Sequence, residues 1–258
     1  MKLDILAFGA HPDDVELSCS GTILKNVALG KRVGIIDLTR GELGTRGTVA
    51  IRLKEATNAS KILGVLFREN LKMADGFFQN DKKHLLAVIK KIRQYKPDVV
   101  LANSLEDRHP DHGRSAKLVA DACFLAGLVK IKTTQRTQPP LPSKGGFARA
   151  GSPPSGGWGA GFQEPWRPKA LYHYIQYRKL RPDFAVDITP FMKKRMKAIK
   201  AFKSQFFNPA SKDPKTLISD PQFLDYVISR EEEYGKLINV TYAEGFNVKE
   251  EYKGEILI

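Results

Sequence analysis

Cysteine is nearly missing from this chain. Cys19 and Cys123 are the two in 258 residues and form no CxxC pair, which excludes a disulfide framework and a thiolate zinc site and leaves both as small apolar core residues. Long apolar runs are missing too: no stretch reaches the roughly 18 to 20 residues that cross a bilayer. The N-terminal "MKLDILAFGA" has a short apolar stretch, contains Asp4, and leads into charge instead of a small-residue cleavage site. The expectation is a cytoplasmic protein without a membrane partner. "GELGTRGT" (41–48) is glycine-rich but has neither GxGxxG nor GxxxxGK[ST] spacing, which sets aside a nucleotide-binding loop.

What is present is ordinary for a globular protein, with 42% hydrophobic and 27% charged residues, enough for one large α/β domain over residues 1–258. The net charge of +14 is spread along the chain, with a dense stretch "FMKKRMKAIKAFK" at 191–203. Met192, Met196, Ile199 and Phe202 recur there at helical spacing, so it reads as an amphipathic helix with a solvated basic face. No recognition motif accompanies it, and nucleic acid is not expected as a partner.

Short β-rich runs alternate with helix-period segments, the pattern of a parallel sheet with crossover helices. Strands are expected at "LDILAFG" (3–9), "RVGIIDLT" (32–39), "VLFREN" (65–70), "PDVVLAN" (97–103), "ALYHYIQ" (170–176) and "DFAVDI" (183–188). One helix face is marked by Leu53, Ala56, Ser60 and Leu63, another by Leu85, Val88, Ile89 and Ile92. A further helix is expected over about Gly113 to Val129, and two more near 190–204 and 221–238. From Arg136 to Pro165 the chain carries seven glycines, six prolines and one acidic residue. That density of breakers predicts no regular element, and about 133–163 reads as a flexible insertion.

Ligands of open α/β sheets bind outside the carboxyl ends of strands, and two such ends are rich in metal-capable side chains. "AHPDDVE" offers His11, Asp13, Asp14 and Glu16; "NSLEDRHPDHGR" offers Glu106, Asp107, His109, Asp111 and His112. Three of the chain's five histidines lie in these segments. Either segment alone could be a helix cap, and Glu16 suits the first turn of a helix. Together they suit a cysteine-free zinc or iron site better than an all-oxygen magnesium site. His11, Asp14 and His112 are one ligand set, with Asp13 placed to take a proton from water and His109 paired with Asp111. His11, His109 and His112 are the rival set, and spacing does not separate them.

The motifs "AHPDD" (10–14) and "HPDH" (109–112) resemble the signatures of the LmbE-like (PIG-L-type) N-acetylglucosaminyl deacetylases. "DLTRGELGTRGT", "PWRPKALYHYIQ", "DITPFMKKRMKAIKAFKSQF" and "YAEGF" resemble the branch that makes bacillithiol. The resemblance implies a Rossmann-like three-layer α/β sandwich with a mostly parallel sheet, and metal-dependent hydrolysis of an N-acetyl group, with N-acetylglucosaminyl malate as substrate. It implies Zn2+, or Fe2+, on His11, Asp14 and His112, and Asp13 as general base. A protonated His109 would stabilise the oxyanion, oriented by Asp111, and Arg52 and Arg108 would contact substrate. Related enzymes commonly assemble as trimers or hexamers, so a homo-oligomer is implied.

Overall fold

The structure, a computed structural model, describes residues 1–136, 160–248 and 258. Strand β1 (Ile5–Gly9) is buried at every residue, as is β2 (Val33–Thr39), as expected of strands covered on both faces by helices. With β3 (Phe67–Met73), β4 (Val99–Ala102), β7 (Ala170–Tyr174), β8 (Phe184–Asp187) and β9 (Ala243–Val248) they form one sheet, in the order β3-β2-β1-β4-β7-β9-β8. The first five in that order pair in parallel; β9 runs antiparallel between β7 and β8. A mostly parallel, Rossmann-like sheet is what the motifs implied.

Side-chain alternation divides the core. Leu6, Phe8, Ile36, Leu38, Val100 and Ala102 pack toward α3 (Lys82–Tyr95) and α4 (Pro110–Ala126). On the opposite face, Ile5, Ala7, Ile35, Val99 and Leu101 pack toward α1 (Asp14–Ala28) and α5 (Met192–Ile199). Helix α2 (Val49–Leu63) lies beside α5, and α6 (Phe223–Leu237) packs against β8 and β9. None of the helices among the described residues is long and apolar enough to cross a membrane.

Several expected boundaries move. Helix α4 starts at Pro110, not Gly113, because His109 caps it and proline suits the first helical position. Strand β3 begins after Leu66 and runs to Met73. In α2 the buried stripe is Arg52, Glu55, Ala56, Ala59 and Leu63, while Leu53 is exposed; a buried Arg and Glu rotate the inward face away from the hydrophobic pattern. The region of glycine and proline does contain regular structure at its edges: β5 (Thr134–Arg136) pairs antiparallel with β6 (Ala160–Phe162). The rest of the expected insertion, 137–159, lies outside the described residues.

Helix α1 is broken at Cys19, whose φ is −143° and ψ 18°. The break leaves backbone donors and acceptors that a continuous helix would pair internally. Glu244 on β9 accepts from Gly21 N at 2.8 Å and Thr22 N at 2.7 Å. Arg195 and Arg230 donate to Leu17 O at 2.8 and 2.7 Å. The charges pair with each other: Arg195 meets Glu244 at 2.7 Å and Glu231 at 2.9 Å, and Arg230 meets Glu231 at 2.7 Å. Arg195, expected on the solvated basic face, is therefore fully buried.

Truncating Glu244 leaves Gly21 N and Thr22 N buried without their acceptor and removes one of the two carboxylates that pair with buried Arg195. Glu244→Ala is expected to cost about 3 to 5 kcal/mol, read by urea unfolding; a loss under about 1 kcal/mol would show that the broken helix is held by apolar packing instead.

Candidate metal centre

Strand β1 lies between β2 and β4, so the chain winds outward in both directions from it, and a crevice opens at the carboxyl ends of β1 and β4. The two His-Pro-Asp segments follow those ends. They line one cavity of about 320 Å3, together with parts of the 43–46 loop and the first turns of α6. The three imidazoles cluster: ring centroids are 4.6 Å apart for His11 and His109, 5.5 Å for His11 and His112, and 5.0 Å for His109 and His112.

The two ring nitrogens of His11 face different groups. Nδ1 lies 3.6 Å from Asp14 Oδ2, whereas Nε2 lies 2.9 Å from Asp75 Oδ1 and 3.4 Å from Asp111 Oδ2. His112 repeats the arrangement, with Nε2 3.2 Å from Asp14 Oδ1 and Nδ1 3.2 Å from Asp107 Oδ1, the latter without hydrogen-bond alignment. One nitrogen of each ring thus converges on Asp14 while the other is backed by an outer carboxylate, the arrangement that orients metal-ligating histidines. Ligand atoms of His11, His109 and His112 also lie within 4.8 Å of one another. His109 differs, because its Nδ1 accepts from Asp111 N at 3.3 Å as the cap of α4. This donor set of imidazoles around a buried carboxylate fits a metal ion.

Burial opposes protonation of His11, but Asp111, Asp14 and Asp75 outweigh it and hold its pKa well above the usual value. Burial likewise opposes protonation of His112, and Asp14 and Asp107 push its pKa up to about 9. Asp14 responds in the opposite sense: burial disfavours its charge, but His112 and His11 hold its pKa well below the usual range.

Asp13 and Asp14 are adjacent, both about 4% exposed, and held by different groups. Asp13 Oδ2 accepts from Arg52 Nη2 at 2.9 Å, and Arg52 also donates to Pro12 O at 3.2 Å. Burial raises the Asp13 pKa, with Arg52 opposing. The Asp13 backbone has φ 119° and ψ −22°, a conformation costing a non-glycine residue on the order of 1 to 3 kcal/mol and typical of functional sites. Gly41, at φ +63°, makes room for Arg52: a Cβ there would sit 2.1 Å from Nη1.

The remaining residues fall as follows. Arg52 is buried on Asp13, while Arg108 is exposed at the cavity, its guanidinium 5.2 Å from the Tyr177 ring centre. The Asp111 carboxylate does not reach the His109 ring; it accepts from Gly76 N at 2.8 Å and Arg114 at 2.5 Å. Burial and then His11 and His112 push the His109 pKa down, against the protonated form that the resemblance implied. Glu16 is no helix-dipole residue at the surface: it is fully buried and pairs with Arg68 at 2.6 Å, which also meets Asp37 at 2.7 Å. Sequence reasoning missed Asp75, Asn103 and Gln176. Asp75 sits in "ADG", which reads as a turn; Asn103 opens the second metal-capable segment but is an amide outside its histidine and carboxylate set, and Gln176 ends an expected strand.

A Rossmann-like sheet with a histidine–aspartate centre at its switch point defines a class of metal-site α/β proteins. Within it, the family profile of GlcNAc-PI de-N-acetylase (PIG-L) matches residues 6–123. The crystal structure of the conserved protein TT1542 from Thermus thermophilus superposes with a TM-score of 0.77 at 33% identity, over 98% of this chain and 97% of that one. Over residues 6–123 the chain is thus similar to the PIG-L (GlcNAc-PI de-N-acetylase) family. It is similar to the uncharacterised deacetylase YaiS of Escherichia coli K12, 33% identical over 114 residues, which span 42% of this chain and 61% of YaiS. It is also similar to diacetylchitobiose deacetylase of Thermococcus kodakarensis, 26% identical over 212 residues, or 78% of this chain and 70% of that enzyme.

In the metal-free protein His11 and His112 carry protons at neutral pH, because their pKa values are raised, to about 9 for His112. A cation on their inward nitrogens must displace those protons, so metal affinity rises with pH through the window up to about 9. Calorimetric titration in buffers of different ionisation enthalpy is expected to read release of about two protons per metal at pH 7; release near zero would contradict the assignment.

Proposed function

We propose that the chain is a zinc-dependent deacetylase that removes the N-acetyl group of an N-acetylglucosaminyl conjugate, with N-acetylglucosaminyl malate of bacillithiol biosynthesis as substrate. One observation carries the reading: the buried Asp14 carboxylate lies 3.6 Å from His11 Nδ1 and 3.2 Å from His112 Nε2, beside a second buried carboxylate, Asp13, that has its own arginine. Likeness to a diacetylchitobiose deacetylase supports the reaction class, and the bacillithiol substrate rests on the sequence resemblance and on Arg108. Iron(II) is the alternative metal, and a chito-oligosaccharide the alternative substrate.

His11, Asp14 and His112 would hold the metal, which when bound supplies Lewis acidity to the acetyl carbonyl and acidifies water. Asp13 Oδ2 is occupied by Arg52; Oδ1, which accepts from no donor among the described residues, takes the proton of the attacking water. Burial raises the proton affinity of Asp13 while Arg52 limits the rise, which suits a group that must accept a proton and give it up again. That proton passes to the departing amine as the C–N bond breaks, leaving acetate and a free amino sugar. His109 Nδ1 accepts the Asp111 amide, so the neutral ring carries its proton on Nε2 and donates from there to the charge developing on the acetyl oxygen. Arg108, with no acidic partner among the described residues, is a cation for the malate carboxylates.

Protein loaded with zinc, or with iron(II) under anaerobic conditions, is expected to release acetate from N-acetylglucosaminyl malate faster than from diacetylchitobiose or N-acetylglucosamine. No acetate from any of them would overturn the reading. Asp14→Ala is expected to lose metal, whereas Asp13→Asn retains it and loses turnover; equal metal loss in both removes the division of roles. His109→Leu should lower kcat on the order of 100- to 1,000-fold. Arg108→Ala should raise KM by about tenfold for the malate conjugate, as loss of one charge-assisted contact predicts, and leave chitobiose unchanged.

A further inference from the structure

Four buried carboxylates lie around the start of α1, and three of them are held by arginine. Asp13 has Arg52, and Glu16 and Asp37 share Arg68. Asp14 has none. Apart from the imidazoles, its partners are neutral N–H donors: Oδ2 accepts from His11 N and from Asn103 Nδ2, both at 2.9 Å, and Oδ1 accepts from Gln176 Nε2 at 3.2 Å. The two amides also bond to each other, Asn103 Nδ2 donating to Gln176 Oε1 at 2.9 Å. The result is a closed ring of two amides and one carboxylate.

The orientation of Asn103 is fixed by its other side. Ala10 N, which can only donate, lies 3.0 Å from Oδ1, and Ser115 Oγ donates to the same oxygen at 2.7 Å. With both oxygen lone pairs and both amide hydrogens used, a flipped amide would face donors with donors. Asn103 and Ser115 are fully buried, and Gln176 is 5% exposed. Arg230 in turn donates to Gln176 O, which links the ring to the charged network at the break in α1.

We infer that Asn103 and Gln176 form a positioning clamp that fixes the Asp14 carboxylate without neutralising it. An arginine in this place would satisfy Asp14 and cancel the charge that draws a cation; two amides hold both oxygens and leave the charge for the metal. With two donors on Oδ2 and one amide on Oδ1, the uncommitted lone pair is on Oδ1, the oxygen facing His112 Nε2. The inference rests on Asp14 being a metal ligand, as proposed above. Neither residue touches the reacting atoms: both act through Asp14.

The test is zinc affinity of the full-length metal-free protein, measured by competition with a chromophoric chelator, for Gln176→Met, Asn103→Leu and Ser115→Ala. Gln176→Met keeps the side-chain length and removes the amide; it is expected to weaken zinc about 10-fold, and Asn103→Leu up to about 100-fold, the range for outer-shell partners. Ser115→Ala removes one of the two donors that orient Asn103 and leaves Ala10 N in place, so it is expected to weaken zinc less than Asn103→Leu. The thermal midpoint of metal-free Gln176→Met should stay within a few degrees of wild type, and KM of the loaded enzyme should change little while kcat falls. If Gln176→Met is folded and binds zinc as tightly as wild type, the clamp is overturned, whether or not Asn103→Leu folds. A wild-type protein that binds zinc but releases no acetate would defeat the deacetylase reading and leave the clamp to stand or fall on the zinc titrations.

Discussion

Two neighbouring carboxylates, Asp13 and Asp14, must both be kept ionised inside the protein, side by side and away from water. Each raises the other's proton affinity, and burial adds to the effect. The solution is to give them different partners on different sides. Asp13 faces Arg52 from α2, at the expense of a strained backbone. Asp14 faces two imidazoles and two amides. Without that separation the pair would behave as a single acid sharing protons, with neither a dedicated ligand nor a dedicated base.

Much of the surrounding fold follows from this arrangement. A side chain at Gly41 would collide with Arg52, which ties the glycine-rich 41–48 loop to the Arg52–Asp13 pair. Asp75 accepts from Leu43 N at 2.9 Å and holds His11 at the same distance, so the same loop is fastened to the metal centre from a second direction. Arg46 fixes its far end, donating to Ser204 O at 3.0 Å and Pro214 O at 3.1 Å. The loop that lacked nucleotide-binding spacing is the cavity wall.

The sequence was most legible where one physical rule dominates. Buried parallel strands are continuous apolar runs, so β1, β2 and β4 were visible to within two residues, and the paired His-Pro-Asp segments marked the strand ends that form the site. It was least legible where polar residues are inside. Arg195 and Glu16 read as solvated or helix-end residues because periodicity scores charge as exposed, yet each is buried against a partner remote in sequence. Asn103 and Asp75 gave no signal for the same reason: their roles exist only once four or five elements have come together. The two candidate ligand sets are likewise inseparable by spacing, and in the fold His109 both caps α4 through Nδ1 and stays clustered with His11 and His112.

The break in α1 has a consequence for the order in which this protein is made. All three proposed ligands and Asp13 are in the growing chain once residue 112 is synthesised, but Gly21 and Thr22 receive their acceptor from Glu244, and Leu17 its donors from Arg195 and Arg230. The growing chain therefore carries the complete ligand set long before it carries the scaffold that aims it. Contacts this distant in sequence are slow to close. During that interval selectivity among cations belongs to the chemistry of an unfolded His-Asp peptide and to whichever ions surround it, and only completion of the last strand hands that choice to the fold.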